Sequence, residues 1–99
     1  MEETALDLER FRRDYGEYVI EVIPEEQAKF GPRFSFDGWF VIPMANSDDT
    51  FLVDSGGWGG IAFQLRVDFK TNACYLEPET EGGEWTFVGV LLPKNARPA

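Results

Sequence analysis

The sequence has no histidine, a single cysteine and only half as many basic as acidic side chains. Without histidine it has no Ser-His or Cys-His pair, which removes the common routes to an activated nucleophile. The lone Cys74 excludes an internal disulfide and the Cys/His ligand sets that hold structural zinc. It falls in a predicted strand, where a thiol is usually buried and inert. These absences predict a protein that is not an enzyme, has no cofactor or bound metal, and resides in a reducing compartment.

The sequence pattern also predicts no membrane-spanning segment and no signal peptide. The first residues, Met1-Glu2-Glu3, lack the basic and apolar stretches of a signal peptide. No apolar run approaches the length that spans a bilayer. We therefore expect a cytoplasmic protein.

Two glycine- or acid-rich segments resemble ligand-binding loops only superficially. The segment 56–60 is glycine-rich, but the Lys-Ser/Thr ending of a phosphate-binding loop does not follow it. Asn46, Asp48 and Thr50 alternate as calcium ligands do, yet Phe51 occupies the position where a calcium loop requires glycine. Neither segment predicts a site.

The strongest signal is charge, with 18 acidic and 9 basic side chains giving a net charge of −9. Such a field repels nucleic acids and anionic lipid headgroups, which proteins hold with Lys and Arg. It attracts basic proteins and accelerates encounter with them. The alternative is that the charge serves only solubility. The composition thus favours a basic protein partner over direct binding to nucleic acid or membrane, and it leaves the oligomeric state open.

The 99 residues predict one compact domain over 1–93, followed by a flexible tail over 94–99. Its first element is a predicted helix, because apolar residues recur at helical spacing and acids precede bases, as the helix dipole favours. The positions that carry this spacing are Ala5, Leu8, Phe11, Arg12 and Tyr15.

The segment 17–23 is rich in β-branched residues and predicts the first strand, with Tyr18, Ile20 and Val22 on one face. Residues 24–30 predict a possible second, short helix that ends at Gly31-Pro32, with Ala28 and Phe30 facing inward.

From Phe34 onward, short strands alternate with turn residues, which is typical of an antiparallel meander. We expect an α+β fold in which the N-terminal helix packs on about five to six strands. The clearest strand covers 61–69, where Ile61, Phe63 and Leu65 begin an inward-facing alternation. The other predicted strands are 34–44 with an interruption at Asp37-Gly38, 50–54, 74–77 and 84–92.

Acidic residues concentrate in the sheet half, where residues 37–93 carry nine acids against two bases. They cluster at predicted turns, and strand pairing decides whether the clusters merge into one surface. We predict that the clusters bind the partner. Their members are Asp48, Asp49, Asp54, Glu77, Glu79, Glu81 and Glu84.

Trp58 completes the predicted partner-binding set. Two glycines flank it on each side, so it has little local packing support and either folds onto the core or is offered to a partner, as exposed Trp often is at interfaces. Trp39 and Trp85 fall in predicted strands, where burial in the core is expected.

In size and acidity the chain resembles small inhibitory proteins, such as immunity proteins of bacterial toxins and phage-encoded antagonists of host nucleases. This resemblance concerns composition, not motifs. It implies a small acidic inhibitor that sequesters a basic partner, such as a nuclease toxin. The alternatives are a phage-type, DNA-mimicking antagonist of a host nucleic-acid-binding effector, a carbohydrate-binding module that uses Trp58, and a structural subunit whose strand edges pair with neighbours.

Overall fold

The computed structural model describes residues 7–57 and 60–95. Its first helix, α1, covers Leu8–Asp14. Asp7 caps this helix, because its carboxylate accepts a 2.8 Å hydrogen bond from the backbone N–H of Arg10. Phe11 is the buried residue of α1. The predicted helix is therefore confirmed from Leu8 onward, and Ala5 lies outside the described residues.

Seven strands follow and form one antiparallel sheet. Single turns of 3-10 helix cover Tyr15–Glu17 and Pro24–Glu26, and a short helix, α2, covers Gln27–Phe30. The strands are β1 (Tyr18–Val22), β2 (Arg33–Ser35), β3 (Phe40–Pro43), β4 (Thr50–Asp54), β5 (Ala62–Asp68), β6 (Ala73–Leu76) and β7 (Thr86–Pro93).

The sheet has the order β2-β1-β7-β6-β5-β4-β3 and curls into a half-barrel. The last strand returns to pair with the first, with Val19 opposite Leu92 and Ile20 opposite Leu91. Every pair of strands that follow each other in the chain is hydrogen-bonded except β2 and β3. These two strands are the edges of the sheet, and the gap between them is the opening of the half-barrel.

Aromatic side chains fill the concave interior. Phe11 covers one end and packs edge-to-face on Phe36 and Phe51, with ring centroids 5.6 and 5.0 Å away. Near the other end, Phe34 packs against Trp39 and Phe63. The interior cavity lined by Ile20, Leu65 and Val88, among others, measures only about 10 Å³, which is room for about one water molecule. The half-barrel is a packed core, not a ligand pocket.

The α+β class and the antiparallel sheet agree with the sequence prediction, but the count of five to six strands is wrong. The predicted strand 34–44 is broken into β2 and β3 by a turn in which Gly38 has φ +82° and the N–H of Trp39 donates to the carbonyl of Phe36. The predicted meander also does not describe the whole sheet, because β1 lies between β2 and β7.

Some predictions for individual side chains are confirmed and others are wrong. Tyr18, Ile20 and Val22 are buried in the core, as the alternation predicts. Ala28, however, is exposed, and Ile61 is 66% exposed because it precedes β5 and is not held on the inner face.

The chain after β7 begins at Lys94, the first residue of the predicted tail. Its N–H donates to the carbonyl of Glu17, and its ammonium lies 3.0 Å from the Asp37 carboxylate. Within residues 7–57 and 60–95, no helix has the length and apolar character needed to cross a membrane.

Candidate functional site

The convex face of the sheet carries the candidate site, because the concave face is filled by the core. Strand alternation turns Phe51 and Leu65 inward and their neighbours outward. One outward row crosses four strands, since Thr50 pairs with Arg66, Arg66 with Tyr75, and Tyr75 with Phe87.

Arg66 is held in the middle of this row. Its Nε lies 3.5 Å from Oδ2 of Asp49, and its guanidinium carbon lies 5.7 Å from the ring centroid of Trp85. The neighbouring Tyr75 packs edge-to-face on Phe87 at 5.8 Å. The ion pair and the cation–π contact orient a guanidinium that remains about half exposed.

Asp49 is fixed by hydroxyl groups from its own turn. Its Oδ1 lies 2.8 Å from the hydroxyl of Ser47 and 3.2 Å from that of Thr50. Partial burial raises the pKa of this carboxyl, but the hydrogen bond from Ser47, the charge of Arg66 and the bond from Thr50 together hold the pKa below its usual value. Asp49 therefore stays ionised and presents a fixed negative charge.

Two open clefts adjoin these residues. The first, which we name the Trp85 cleft, has a volume of about 290 Å³ and is lined by Asp49, Arg66, Asp68, Tyr75 and Trp85. The second, the turn cleft, has a volume of about 300 Å³ and is lined by Met44, Ala45, Asn46, Ser47, Thr50, Gln64 and Trp85. Trp85 borders both clefts and forms a wall between them.

The position of Trp85 corrects the expectation that it lies in the core. It precedes β7, which begins at Thr86, and it lines clefts on the outer face of the sheet. A signal for this placement exists in the sequence, because Trp85 follows closely on the Gly82-Gly83 turn, where strand alternation does not hold the side chain. Trp39, by contrast, packs against the core as expected.

Exposed apolar side chains extend the convex face toward the β3 edge. Phe40 is 58% and Ile42 is 48% exposed, and Ile42 pairs with the outward-facing Leu52 of β4. We name Phe40, Ile42 and Leu52 the apolar strip. Large exposed aromatic and aliphatic groups that are contiguous mark binding surfaces in soluble proteins.

The predicted acidic residues fall into two groups, and Asp68, which is not among the predicted residues, lies with the first of them. Residues at the start of β4 and the end of β5 form one group, which we call the turn-end group: Asp48, Asp49 and Asp68. The second group, which we call the loop-end group, comprises Asp54 at the end of β4, Glu77 directly after β6, and Glu79, Glu81 and Glu84 in the chain between β6 and β7. The rise of an extended strand separates Asp49 from Asp54 by about 17 Å, whereas Glu77 lies beside Gln64 in the middle of the sheet, since its N–H donates to the carbonyl of Gln64. Asp49 and Asp54 therefore do not lie at the same end of the sheet.

Members of the two groups differ in how they are held. Asp54 accepts a 2.8 Å bond from the N–H of Gly56, and Glu77 accepts a 3.2 Å bond from the N–H of Gln64. Both stabilise local backbone. Asp48, Glu79, Glu81 and Glu84 are exposed, so their charges face solvent. Trp58, the remaining predicted partner-binding residue, lies outside the described residues.

A third cleft of about 310 Å³ lies at the opening of the half-barrel, where Phe34, Trp39 and Phe63 form its apolar wall. Lys29 and Arg33 also line it, and Lys29 is 3.5 Å from the carboxylate of Glu26. Its basic side chains make this cleft a poorer match for a basic partner than the convex face.

Arg66, Tyr75 and Trp85 are the site residues that sequence reasoning missed. Arg66 occupies the polar face of the clearest predicted strand, which is the one signal that could have placed it outside. Among the described residues, no group of three or more acidic or thiol side chains is arranged to hold a metal ion. The convex face thus assembles aromatic faces, one oriented guanidinium and fixed carboxylates.

No protein-family model, curated protein or solved structure matches this chain significantly.

Proposed function

We propose that this chain is a binding protein that inhibits or sequesters a basic protein partner, and that it does so with the convex face of strands β3 to β7. The observation that carries the proposal is the pair of clefts divided by Trp85 beside the exposed apolar strip. Trp, Tyr and Arg are the residue types that dominate interface hot spots, and Trp85, Tyr75 and Arg66 line one cleft.

The charge distribution supports a basic partner. The turn-end and loop-end groups place carboxylates at both ends of β4 and in the chain between β6 and β7, within a chain of net charge −9. Such a surface steers a cationic protein into encounter and raises its association rate. The buried contacts around Trp85 and the apolar strip would then determine the lifetime of the complex.

The partner class that fits best is a protein whose own ligand is a nucleic acid, because its basic surface matches the carboxylate groups. A nuclease toxin neutralised by an immunity protein is the leading case. A host nucleic-acid-binding effector that a phage-type antagonist blocks by imitating DNA is the alternative within this class.

Affinity capture of the tagged protein from its source cells tests the proposal. The wild type is compared with the double variant Phe40→Ser, Ile42→Ser, and with Glu25→Gln as a control in the remote 3-10 turn. We expect one basic protein to be retained at low salt by the wild type and the control, released by high salt, and retained poorly by the double variant. Retention that is the same at low and high salt, and the same in the wild type and the double variant, contradicts the proposal. Recovery of the bait alone also contradicts it.

Carbohydrate binding is a second candidate that one observation favours. The turn cleft combines the indole of Trp85 with the side chains of Asn46 and Gln64, and an aromatic face beside amide groups suits a sugar ring and its hydroxyls. Binding to a polysaccharide that is insensitive to salt and lost in Trp85→Ala would support this candidate against a basic protein.

A further inference from the structure

The Trp85 cleft contains a guanidinium that belongs to the chain itself. Arg66 lies over the indole of Trp85 and beside the carboxylate of Asp49. Arg66 thus shows which groups a guanidinium contacts in this cleft, namely an aromatic face and a fixed carboxylate. About 290 Å³ of open space remains next to it.

Charge in the cleft is not balanced by Arg66 alone. Asp49 and Asp68 both line the cleft, against the one guanidinium of Arg66. Asp68 uses Oδ1 to accept a 2.9 Å bond from the N–H of Lys70, and within the described part of the chain no donor occupies its Oδ2. One carboxylate therefore remains to pair with an added cation.

The aromatic lining favours a planar cation. Tyr75 and Trp85 both contribute to the wall, and a guanidinium stacks on aromatic faces while it forms paired bonds to a carboxylate. An ammonium is more strongly hydrated and gains less from such a wall. The aromatic wall and the carboxylate of Asp68 thus favour an arginine over a lysine side chain.

We propose that the Trp85 cleft receives an arginine side chain of the basic protein partner, which stacks on the aromatic wall and pairs with Asp68. This inference rests on the proposed function, because it names the chemical group by which the partner is recognised. In the complex the partner's guanidinium lies beside that of Arg66, and the carboxylates of Asp49 and Asp68 each neutralise one of them.

A titration of the isotope-labelled protein with N-acetyl-arginine amide, followed by NMR, tests this directly without the partner. The indole signal of Trp85 is assigned by its loss in Trp85→Phe. We expect saturable shifts of that signal and of the amides of Tyr75 and Asp68, and binding several-fold weaker for N-acetyl-lysine amide. Equal binding of both probes, or shifts spread evenly over the exposed acids, would overturn the inference.

Two variants localise the effect. Asp68→Asn keeps an oxygen for the turn but removes the charge, and it should weaken binding of the arginine probe several-fold, whereas Glu25→Gln in the remote 3-10 turn should not. Arg66→Gln removes the guanidinium that competes for the carboxylates of the cleft, so the arginine probe should bind several-fold more tightly. Weaker binding in Arg66→Gln would contradict the proposed arrangement.

The two proposals fail separately. If capture finds a basic partner but the arginine probe gives no saturable shift, the inference about the cleft is wrong and the proposed function stands. If the probe binds as expected but no basic protein is captured, the proposed function is wrong and the arginine site remains.

Discussion

Phe11 connects the helix to the interior of the half-barrel. It is fully buried and its ring contacts those of Tyr18, Phe36, Phe51 and Phe69. The remaining residues of α1 are exposed or only partly buried. At the level of single residues, Phe11 is therefore the main anchor of the helix on the sheet, and the partly buried Leu8 also packs against the core.

Replacing Phe11 with Ala should lower the free energy of unfolding by about 3–5 kcal/mol, because burial is lost and a cavity is left among four aromatic rings. Urea denaturation measures the loss. Glu9→Ala, on the exposed side of the same helix, serves as the control and should change stability by less than about 0.5 kcal/mol. Equal effects of the two substitutions would show that Phe11 does not anchor α1.

Cys74 offers a pH-dependent test of the core. Burial raises the pKa of its thiol to about 12, whereas the unfolded chain ionises at its ordinary pKa near 8.5. The folded state therefore holds the proton more tightly. The resulting stability is complete below about pH 8.5 and is lost as pH rises toward 12, at about 1.4 kcal/mol per pH unit.

The stability difference between the wild type and Cys74→Val should accordingly be constant from pH 6 to 8 and shift in favour of the variant above pH 9. Chemical denaturation across this range measures it, and comparison with the variant cancels the titration of tyrosines and lysines. A difference that stays constant up to pH 11 would contradict the buried, protonated thiol.

Two strands approach each other unusually closely at Gly89. A β-bulge shifts the register between β6 and β7 beside Cys74, and Gly89 pairs with Val22 of β1. A methyl group built on Gly89 would collide with the backbone carbonyl of Glu21. Glycine at this position is therefore a requirement of the contact between the first and last strands.

Gly89→Ala should destabilise the protein by about 1–3 kcal/mol, because backbone atoms must move to make room for the methyl group. Gly16→Ala is the matched control, since nothing lies within 4 Å of a methyl group there, and it should be neutral or slightly stabilising. Thermal unfolding of both variants distinguishes them. A neutral Gly89→Ala would mean that β1 and β7 are less closely packed than described.

The edge strands carry features that oppose further pairing. Pro43 ends β3, and Pro32 directly precedes β2. Proline has no N–H to donate to an added strand, and edge prolines commonly protect sheets from aggregation. The prolines therefore oppose assembly through the sheet edges.

For the whole molecule, the exposed acidic residues of the turn-end and loop-end groups predict the kinetics of partner binding. Neutralising exposed members of both groups, with Asp48→Asn, Glu79→Gln and Glu81→Gln, should slow association and flatten its dependence on salt, while dissociation changes little. Stopped-flow or surface binding kinetics with the captured partner measure this. Glu25→Gln, remote from the convex face, should leave the association rate nearly unchanged. An association rate that is unaffected by the triple variant would contradict steering.

Local sequence signals determined many of the secondary-structure elements and core positions of this molecule. The alternation in 61–69 placed Leu65 and Val67 inside because strand side chains alternate with period two. Likewise, helical spacing identified Phe11, and Gly31 ended the second helix, where its φ of +80° suits glycine. The acidic balance, which needs no structure to count, predicts a basic partner, and this stays a prediction.

Only the tertiary structure decided the strand order, the placement of the acidic residues on the sheet and the outward position of Trp85. Each depends on residues far apart in sequence: β1 pairs with β7, and the turn cleft joins Trp85 to residues 44–47. Local propensity carries no information about which distant strands pair, because pairing is selected by how all inner faces bury their apolar side chains together. The composition predicts a basic partner, whereas the curl of the sheet decided which face is filled by the core and which face is left exposed.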